Sequence, residues 1–311
     1  MTATVVATTD LTKRFGKVTA VENLTLHVGE GDVFGFLGPN GSGKTTTLRM
    51  LLGLVFATSG DIEVLGRRMP ANAKEILPDV GALVEGPAFY PHLSGRANLA
   101  LLDAAGPGGD RRTRRKRIAG ALERVRIADV GRRPYKAYSS GMKQRLGLAA
   151  ALIRPHRLLV LDEPTNGLDP HGTREIRELL VELVDGGTTV LLSSHLLSEI
   201  EMICNRAAIV YRGRLMAQDD VSKLLAPTGA FSIATPDVHD AMSVLSSISG
   251  ARVLEHERQV LRAHLDGVPP DEVNRALVER GVRVHAFTPE RRSLEDVFLD
   301  LTLAEGEDVR S

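Results

Sequence analysis

The sequence predicts an α/β fold over about its first 222 residues, with a parallel sheet flanked by helices, followed by a small C-terminal α+β domain. In the first part, short apolar runs bounded by Gly or Pro alternate with longer stretches of helical periodicity, which is typical of that architecture. Three runs, at residues 32–38, 157–164 and 188–195, are apolar on both faces, as buried strands are. Each ends in polar residues, and ligands of open parallel sheets bind at the carboxyl ends of the strands. A ligand site is therefore expected where these three runs end.

Further patterns complete the predicted organisation. Helical periodicity dominates between about residues 95 and 155, which predicts a helical subdomain inserted between sheet strands within a domain of residues 1–222. Pro and Gly in residues 223–230 predict a linker. Residues 231–311 give the order strand, helix, strand, strand, helix, strand, with an added helix. This βαββαβ order is the split βαβ pattern of a small α+β domain.

Composition limits the classes of partner. The 39 Lys and Arg residues equal the 39 Asp and Glu residues, so no overall charge attracts nucleic acid or an anionic membrane, and we expect no nucleic-acid partner. The N-terminus lacks the basic start of a secretory signal, and no run approaches the ~18 apolar residues that a membrane-spanning helix requires. The single cysteine, Cys204, cannot form a disulfide within the chain. Any work at a membrane is therefore expected to need a partner protein.

One local cluster departs from this charge balance. Six of the seven residues 111–117 are basic, a pattern that lipid headgroups or nucleic acid could bind. No aromatic residues interleave to stack on bases, and the acidic residues Glu123 and Asp129 follow. The run is therefore expected to be the solvated start of a helix.

A glycine-rich loop directly follows the first of the three predicted strands. Residues 38–46, GPNGSGKTT, satisfy the pattern G-x-x-x-x-G-K-[ST] and lead into a helical stretch, a context that indicates a phosphate site. The glycines let the backbone wrap a phosphate closely, and the amides at the helix start point at its oxygens. Lys44 supplies a positive charge for the β and γ phosphates, and the Thr45 hydroxyl is placed for Mg²⁺. The expected nucleotide-binding residues of the loop are Gly38, Pro39, Asn40, Gly41, Ser42, Gly43, Lys44, Thr45 and Thr46.

The second predicted strand ends in an acidic pair, Asp162 and Glu163. In phosphate-loop enzymes such a pair supplies a metal ligand and a group that orients the attacking water. We expect Asp162 to ligate Mg²⁺ and Glu163 to act on the water. These motifs alone indicate a nucleotidase. A phosphate-loop kinase is disfavoured, because nothing in the chain accounts for a phosphoryl acceptor.

Residues 138–146, YSSGMKQRL, lie shortly before that acidic pair, and this order of motifs resembles the ATP-binding cassette family over about residues 5–220. The resemblance implies the fold of a P-loop nucleotide hydrolase with a helical subdomain. The family's signature motif has the general form L-S-G-G-Q. Its positions are held here by Ser139, Ser140, Gly141 and Met142. The chain departs from the general form at Tyr138, Ser140 and Met142.

The signature has a physical role that does not depend on the name of the family. A hydroxyl and free amides at a helix start form an anion site. The resemblance implies that this site binds the γ-phosphate held by the phosphate loop of a second ATPase subunit, so that two cassettes close around two ATP molecules. We therefore expect a dimer, most simply of identical chains.

The same resemblance implies roles for three more residues. His195, at the end of the third predicted strand, corresponds to a switch histidine near the γ-phosphate, and completes a catalytic set with Glu163 and Lys44. Asp169 corresponds to a residue that couples the two nucleotide sites across the dimer. Phe15 corresponds to the aromatic residue that stacks on adenine.

Glu85 is an acid surrounded by apolar residues in VGALVEGPAFYPHLS. The family carries a Gln at this place, and an acid here is similar to the lantibiotic and bacitracin exporters. The resemblance implies that Glu85 joins Thr45 and Asp162 as a metal ligand and senses the nucleotide for the membrane partner. The alternative is a loop acid displaced from the site. The neighbouring residues expected to contact the membrane partner are Pro87, Phe89, Tyr90 and Pro91.

A single cassette with a C-terminal appendage resembles the daunorubicin-resistance and the bacitracin and lantibiotic exporter types, as do the strings YSSGMKQRL and SLEDVFLDL. The resemblance implies an ATP-hydrolysing subunit, bound at the cytoplasmic face of the membrane through a separate transmembrane permease. Efflux of a drug, an antibiotic peptide or a lipid-like compound is expected. The alternative is an ATPase without a transport role, such as a regulator or an assembly factor.

Overall fold

The structure is a computed structural model that describes residues 3–86, 89–106, 110–226, 229–290 and 292–308. The chain forms two compact units. The first comprises Met1–Val221 together with Leu301–Ser311, and the second comprises Ser222–Asp300. None of the helices in the described ranges is long and apolar enough to cross a membrane. The predicted division into a domain of residues 1–222, a linker of residues 223–230 and a domain of residues 231–311 remains a proposal.

The description that follows uses fourteen strands and eleven helices of the described residues. The strands are β1 (Thr4–Phe15), β2 (Val18–Gly29), β3 (Val33–Leu37), β4 (Ser59–Val64), β5 (Arg67–Met69), β6 (Val80–Leu83), β7 (Leu158–Asp162), β8 (Thr189–Ser194), β9 (Arg206–Tyr211), β10 (Arg214–Asp220), β11 (Ala230–Ala234), β12 (Ala251–Glu257), β13 (Val260–Leu265) and β14 (Ala286–Pro289). The helices are α1 (Lys44–Leu51), α2 (Ala73–Ile76), α3 (Gly95–Ala105), α4 (Arg114–Arg124), α5 (Ser140–Ala151), α6 (Pro170–Asp185), α7 (Leu197–Ile203), α8 (Val221–Leu224), α9 (Val238–Ser246), α10 (Pro270–Glu279) and α11 (Leu294–Asp308).

The central sheet of the first unit has the order β10-β9-β3-β8-β7-β6. Its strands β3, β7 and β8 confirm the three predicted buried strands, and they run parallel to one another. The register places Asp162 beside Ser193, and Leu37 beside Ser194. The carboxyl ends of the three strands therefore lie side by side, and the segments that follow them start from one edge of the sheet.

A second, antiparallel sheet with the order β2-β1-β4-β5 shares its core with the central sheet. The shared core joins Leu24 and Leu26 of β2 with Phe34 of β3 and Leu48 of α1, all fully buried. Burial of four large apolar side chains contributes roughly 1.5–3 kcal/mol each to folding. Helix α1 is therefore fixed between the two sheets, and the loop that precedes it has a rigid base.

Helices α3, α4 and α5 lie between β6 and β7 in the sequence, as predicted for the helical subdomain. The basic run at the start of α4 is only partly solvated. Arg115 and Lys116 are exposed, but Arg114 and Arg117 donate to the fully buried carboxylate of Asp103 at 2.9 and 2.7 Å. The prediction of a solvated helix start was therefore wrong for these two arginines, because a buried carboxylate on α3 requires cationic partners.

The second unit contains a four-stranded antiparallel sheet with the order β12-β13-β11-β14. Helices α9 and α10 pack on one face of this sheet through Val244 and Leu277, which meet Ile233 and Leu261 of the strands. The chain order is strand, helix, strand, strand, helix, strand, followed by α11. This is the small α+β architecture that the sequence predicts.

Candidate nucleotide site

The phosphate loop, residues 38–45, connects the end of β3 to the start of α1. Gly41 and Gly43 have φ angles of +82° and +98°, a region of backbone conformation that favours glycine. A Cβ atom at Gly43 would also collide with the carbonyl oxygen of Ala20. The bend of the loop therefore depends on glycine at these positions.

Lys44 is the first residue of α1, and its side chain folds back into the loop. It is 5% exposed, and its Nζ donates to the carbonyl oxygens of Gly38 and Pro39 at 2.6 and 3.1 Å. Burial lowers the pKa of the Lys44 ammonium from its ordinary value, against the opposing effect of the Glu163 and Asp162 carboxylates. Lys44 is thus a buried cation inside the loop, and its positive charge can meet an anionic ligand.

The Ser42 side chain shows that the loop fits a phosphate group. Its hydroxyl is buried and has no hydrogen-bond partner in the described part of the chain. A buried polar group without a partner costs free energy, which a phosphate oxygen as acceptor would offset. The first N–H groups of α1, from Lys44 onward, have no carbonyl acceptor within the helix and carry the positive end of its dipole. Loop and helix start together form an anion cradle.

The predicted metal ligands Thr45 and Asp162 lie together. Thr45 Oγ1 donates to Asp162 Oδ2 at 2.9 Å, and Ser193 Oγ donates to Asp162 Oδ1. Hydroxyl and carboxylate oxygens are ligands that Mg²⁺ prefers, and Mg²⁺ typically takes its other ligands from phosphates and water. The described residues contain no group of three or more His, Cys, Asp or Glu that could hold a metal ion. The residues present fit Mg²⁺ bound together with a nucleotide.

Glu163 and His195 also come together, although they belong to different strand ends. Glu163 Oε1 lies 2.9 Å from His195 Nδ1, and Glu163 Oε2 accepts from Asn166 Nδ2 at 3.2 Å. The Glu163 backbone has φ +48°, and its N–H donates to Ser193 Oγ at 3.1 Å. This carboxylate is held at the strand end that also carries Asp162, and its action on a water molecule stays a prediction.

Two residues around this site were not among those predicted from the sequence. Ser193 bonds both Asp162 and the backbone of Glu163. Glu199, a buried acid of α7, accepts from the hydroxyls of Thr165 at 2.7 Å and Ser194 at 3.1 Å. Glu199 thereby joins the segment after Glu163 to the end of β8. The signal in the sequence that could have identified Ser193 was the pair of serines at the end of the largely apolar strand β8.

The signature, residues 139–142, begins α5. Ser139 is the N-cap of this helix, and its Oγ accepts from the Met142 N–H at 3.3 Å. Ser139 and Ser140 are exposed. Within the described ranges, no hydrogen bond or ion pair joins the signature to the phosphate loop of the same chain. The predicted contact of the signature with a nucleotide on a partner chain stays a prediction.

Asp169 and Phe15 occupy defined positions outside the core of the site. Asp169 is the N-cap of α6, where Oδ1 accepts from the Gly172 N–H at 2.8 Å. Phe15 ends β1 and is 49% exposed, with Lys13 Nζ 4.8 Å from the ring centroid. An exposed ring at this point is free to stack on a base, and its role stays a prediction, as does the coupling role of Asp169.

Glu85 is the predicted site residue that the structure does not bring to the metal pair. Its side chain is 58% exposed, its φ is +59°, and it forms an ion pair with Arg49 of α1. None of the contacts described for Glu85 reaches Thr45 or Asp162. The pairing with Arg49 agrees with the alternative of a loop acid outside the site, and the metal role of Glu85 stays a prediction.

The apolar residues after Glu85 differ in exposure. Phe89 is buried, with its ring centroid 5.2 Å from that of Tyr135, whereas Tyr90 is 56% exposed. Pro87 lies outside the described residues. The expectation that Phe89 belongs to an exposed docking surface is therefore wrong in this structure, because its ring packs against the helical subdomain.

Comparison with a protein family, with known sequences and with solved structures identifies the same family each time. The family described as "ABC transporter" matches residues 21–166. The bacitracin transport ATP-binding protein BcrA of Bacillus licheniformis is 39% identical over 304 residues, covering 96% of this chain and 97% of that protein. The daunorubicin resistance ATP-binding protein DrrA3 of Streptomyces coeruleorubidus is 38% identical over 304 residues, with 96% and 95% covered.

A solved structure described as the ATP-binding subunit of an ABC transporter has a TM-score of 0.64 and 27% identity, and covers 71% of this chain and 91% of that one. The nucleotide cradle, the acidic strand end and the signature helix thus occur in a chain that matches such proteins over nearly its whole length. The chain belongs to the ATP-binding cassette family of transporter ATPases, whose members bind and hydrolyse ATP.

Proposed function

We propose that this chain is the ATP-hydrolysing subunit of an exporter, which drives efflux of a drug, an antibiotic peptide or a lipid-like compound through a separate membrane permease. The similarity to BcrA and DrrA3 carries this proposal, because it covers 96% of the chain and so extends beyond the cassette into the second unit. The names of these relatives connect them to bacitracin and daunorubicin. The proposed location is the cytoplasmic face of the membrane, reached through the permease.

The active form in this proposal is a dimer of identical chains. Each ATP would lie between the phosphate loop of one chain and the signature of the other. The exposed hydroxyls of Ser139 and Ser140 at the start of α5 support this arrangement, because the anion site they form is open to a second molecule. Asp169 and Phe15 keep their proposed roles in coupling the sites and in stacking on adenine.

The proposed hydrolysis follows from the side chains around the strand ends. Lys44 and the loop amides bind the β and γ phosphates, and Thr45 and Asp162 hold Mg²⁺, which would neutralise phosphate charge when bound. Glu163 accepts a proton from the water that attacks the γ-phosphorus, while the bond from that phosphorus to the bridging oxygen breaks and ADP leaves. His195, 2.9 Å from Glu163, orients this carboxylate and contacts the γ-phosphate.

The test is transport by the whole complex. The chain is expressed in a drug-sensitive host together with a candidate membrane permease, and the accumulation of bacitracin, daunorubicin and a fluorescent lipid is measured. We expect the wild type to lower accumulation of at least one compound, and Lys44→Ala at equal expression to lower none. Equal protection by Lys44→Ala, or no effect of the wild type on any compound, would contradict an ATP-driven exporter of this kind.

A further inference from the structure

Gln144 is a polar residue of the signature helix that the proposed chemistry does not use. It lies on α5, shortly after the signature, and is half-buried. Its Nε2 donates to the backbone carbonyl oxygen of Glu163 at 2.8 Å. The helix that begins with the signature therefore bonds directly to the residue proposed to act on water.

Glu163 has a backbone conformation that its surroundings must maintain. Its φ of +48° is unfavourable for a residue with a side chain, and such conformations persist only where neighbouring groups fix them. The N–H of Glu163 donates to Ser193, and its carbonyl oxygen accepts from the Asn166 N–H at 3.1 Å as well as from Gln144. Ser193 belongs to β8 and Asn166 to the segment that follows Glu163, whereas Gln144 belongs to the helical subdomain. Among the contacts described for the Glu163 backbone, the hydrogen bond from Gln144 is thus the one that comes from the helical subdomain.

The first turn of α5 also contacts the segment that follows Glu163. Gly167 has φ +77°, and a Cβ atom there would lie 2.6 Å from Ser140 Oγ. A Cβ atom at Gly141 would lie 3.3 Å from the Gly167 carbonyl oxygen. The start of α5 therefore packs against Gly167, and Gln144, further along the same helix, donates a hydrogen bond to Glu163. Because an α-helix rises only about 1.5 Å per residue, both contacts fall within its first two turns, and a shift of the helix start displaces both.

We propose that Gln144 is a positioning residue that couples the signature of a chain to Glu163 of the same chain. This rests on the proposed function, in which the signature binds a nucleotide held by the partner's phosphate loop. Nucleotide at one site of the dimer then sets, through α5 and Gln144, the position of the carboxylate that works at the other site. The coupling appears in measurement as cooperative hydrolysis of ATP, with a Hill coefficient above 1.

The experiment compares Gln144→Leu, which removes the donor and keeps most of the volume, with Gln144→Lys, which keeps a donor. Lys143→Met is the matched control on the same helix, since Lys143 lies over the Tyr135 ring, 5.5 Å from its centroid. Loss of one hydrogen bond that holds the catalytic group is expected to lower kcat about tenfold in Gln144→Leu. The Hill coefficient should fall toward 1, and the affinity for ATP should stay within about twofold, because the phosphate loop is unchanged. Gln144→Lys should recover most of kcat.

Three results would overturn the coupling role. These are wild-type kcat and cooperativity in Gln144→Leu, a loss of kcat that parallels a loss of ATP affinity, and a lowered melting temperature with no recovery of kcat in Gln144→Lys. The last two would make Gln144 a purely structural residue. Failure of the proposed function gives a different pattern, in which the wild-type chain with its membrane partner lowers the accumulation of none of the tested compounds, while Gln144→Leu still changes kcat and cooperativity relative to wild type.

Discussion

At the scale of single residues, Lys44 shows how folding prepares the site for an anion. The ammonium is buried and bonded to carbonyl oxygens of its own loop, so burial lowers its pKa in the absence of a ligand. Phosphate oxygens close to this group would stabilise the charged form and raise the pKa again. Binding of nucleotide is therefore linked to proton uptake at alkaline pH.

We expect the affinity for ATP to fall as pH rises, beginning below the ordinary lysine value of 10.5, because the free protein must recapture the proton that Lys44 has lost. Lys44→Arg keeps its charge over the same range and should show a much flatter profile. Binding of a fluorescent ATP analogue between pH 7 and 10.5 at constant salt measures both. Parallel profiles for the two proteins would contradict this role of Lys44.

The residues of the site differ in how far the sequence could predict them. Thr45, Asp162 and Glu163 were predicted from the phosphate loop and the acidic strand end, and His195 from the resemblance to the family. The structure places Thr45 with Asp162, and Glu163 with His195. Glu85 was harder to predict, because the local sequence does not distinguish a metal ligand from a loop acid displaced from the site, and its partner Arg49 lies on an element far from it in the sequence.

At the scale of elements, the local pattern predicted which segments are strands but could not give their neighbours. Strands β3, β7 and β8 are recognisable because both faces of each are apolar. Their order in the sheet brings Ser193 beside Asp162, and that pairing depends on contacts between distant segments. The same limit explains the basic run on α4, whose acidic partner Asp103 lies on another helix.

The ion cluster of Asp103 is expected to hold α3 and α4 together. Arg117 and Arg114 keep the pKa of Asp103 below its ordinary value, although burial alone would raise it. Asp103→Asn leaves Arg114, Arg117 and Arg154 without this carboxylate and should lower the free energy of unfolding by about 3–5 kcal/mol at pH 7. Urea unfolding measures this, with Glu123→Gln on α4 as the exposed control.

The pH dependence of that difference has a definite sign. A carboxyl with a lowered pKa in the folded state contributes stability above its unfolded value of 3.8, and loses it as pH falls through the folded value. The gap between wild type and Asp103→Asn should therefore shrink at acidic pH. A gap that is the same at pH 7 and pH 3 would show that the ionised cluster is not its source.

At the scale of the whole molecule, the two compact units differ in how much can be inferred about their function. The first unit contains every residue of the nucleotide site and matches solved cassettes, which cover 71% of the chain in the example given above. The second unit is matched by the transport relatives, and its fold followed from the alternation of strands and helices. Its role could not be predicted, since none of its residues suggests chemistry. Dimerisation belongs to this scale as well, because a signature at an exposed helix start needs a second chain.

The central claim is that Glu163 acts on the water in a site completed by a second chain. Glu163→Gln keeps the volume of the side chain but cannot accept the proton, so ATP should bind with near wild-type affinity while hydrolysis falls by 10²-fold or more, roughly the contribution of a general base. The stalled protein should then accumulate as a closed dimer.

The direct measurement is the molar mass of Glu163→Gln by light scattering, with and without ATP and Mg²⁺, alongside its rate of phosphate release. We predict a dimer that forms only with ATP and releases almost no phosphate. A monomer under all conditions, or phosphate release at the wild-type rate, would contradict the account.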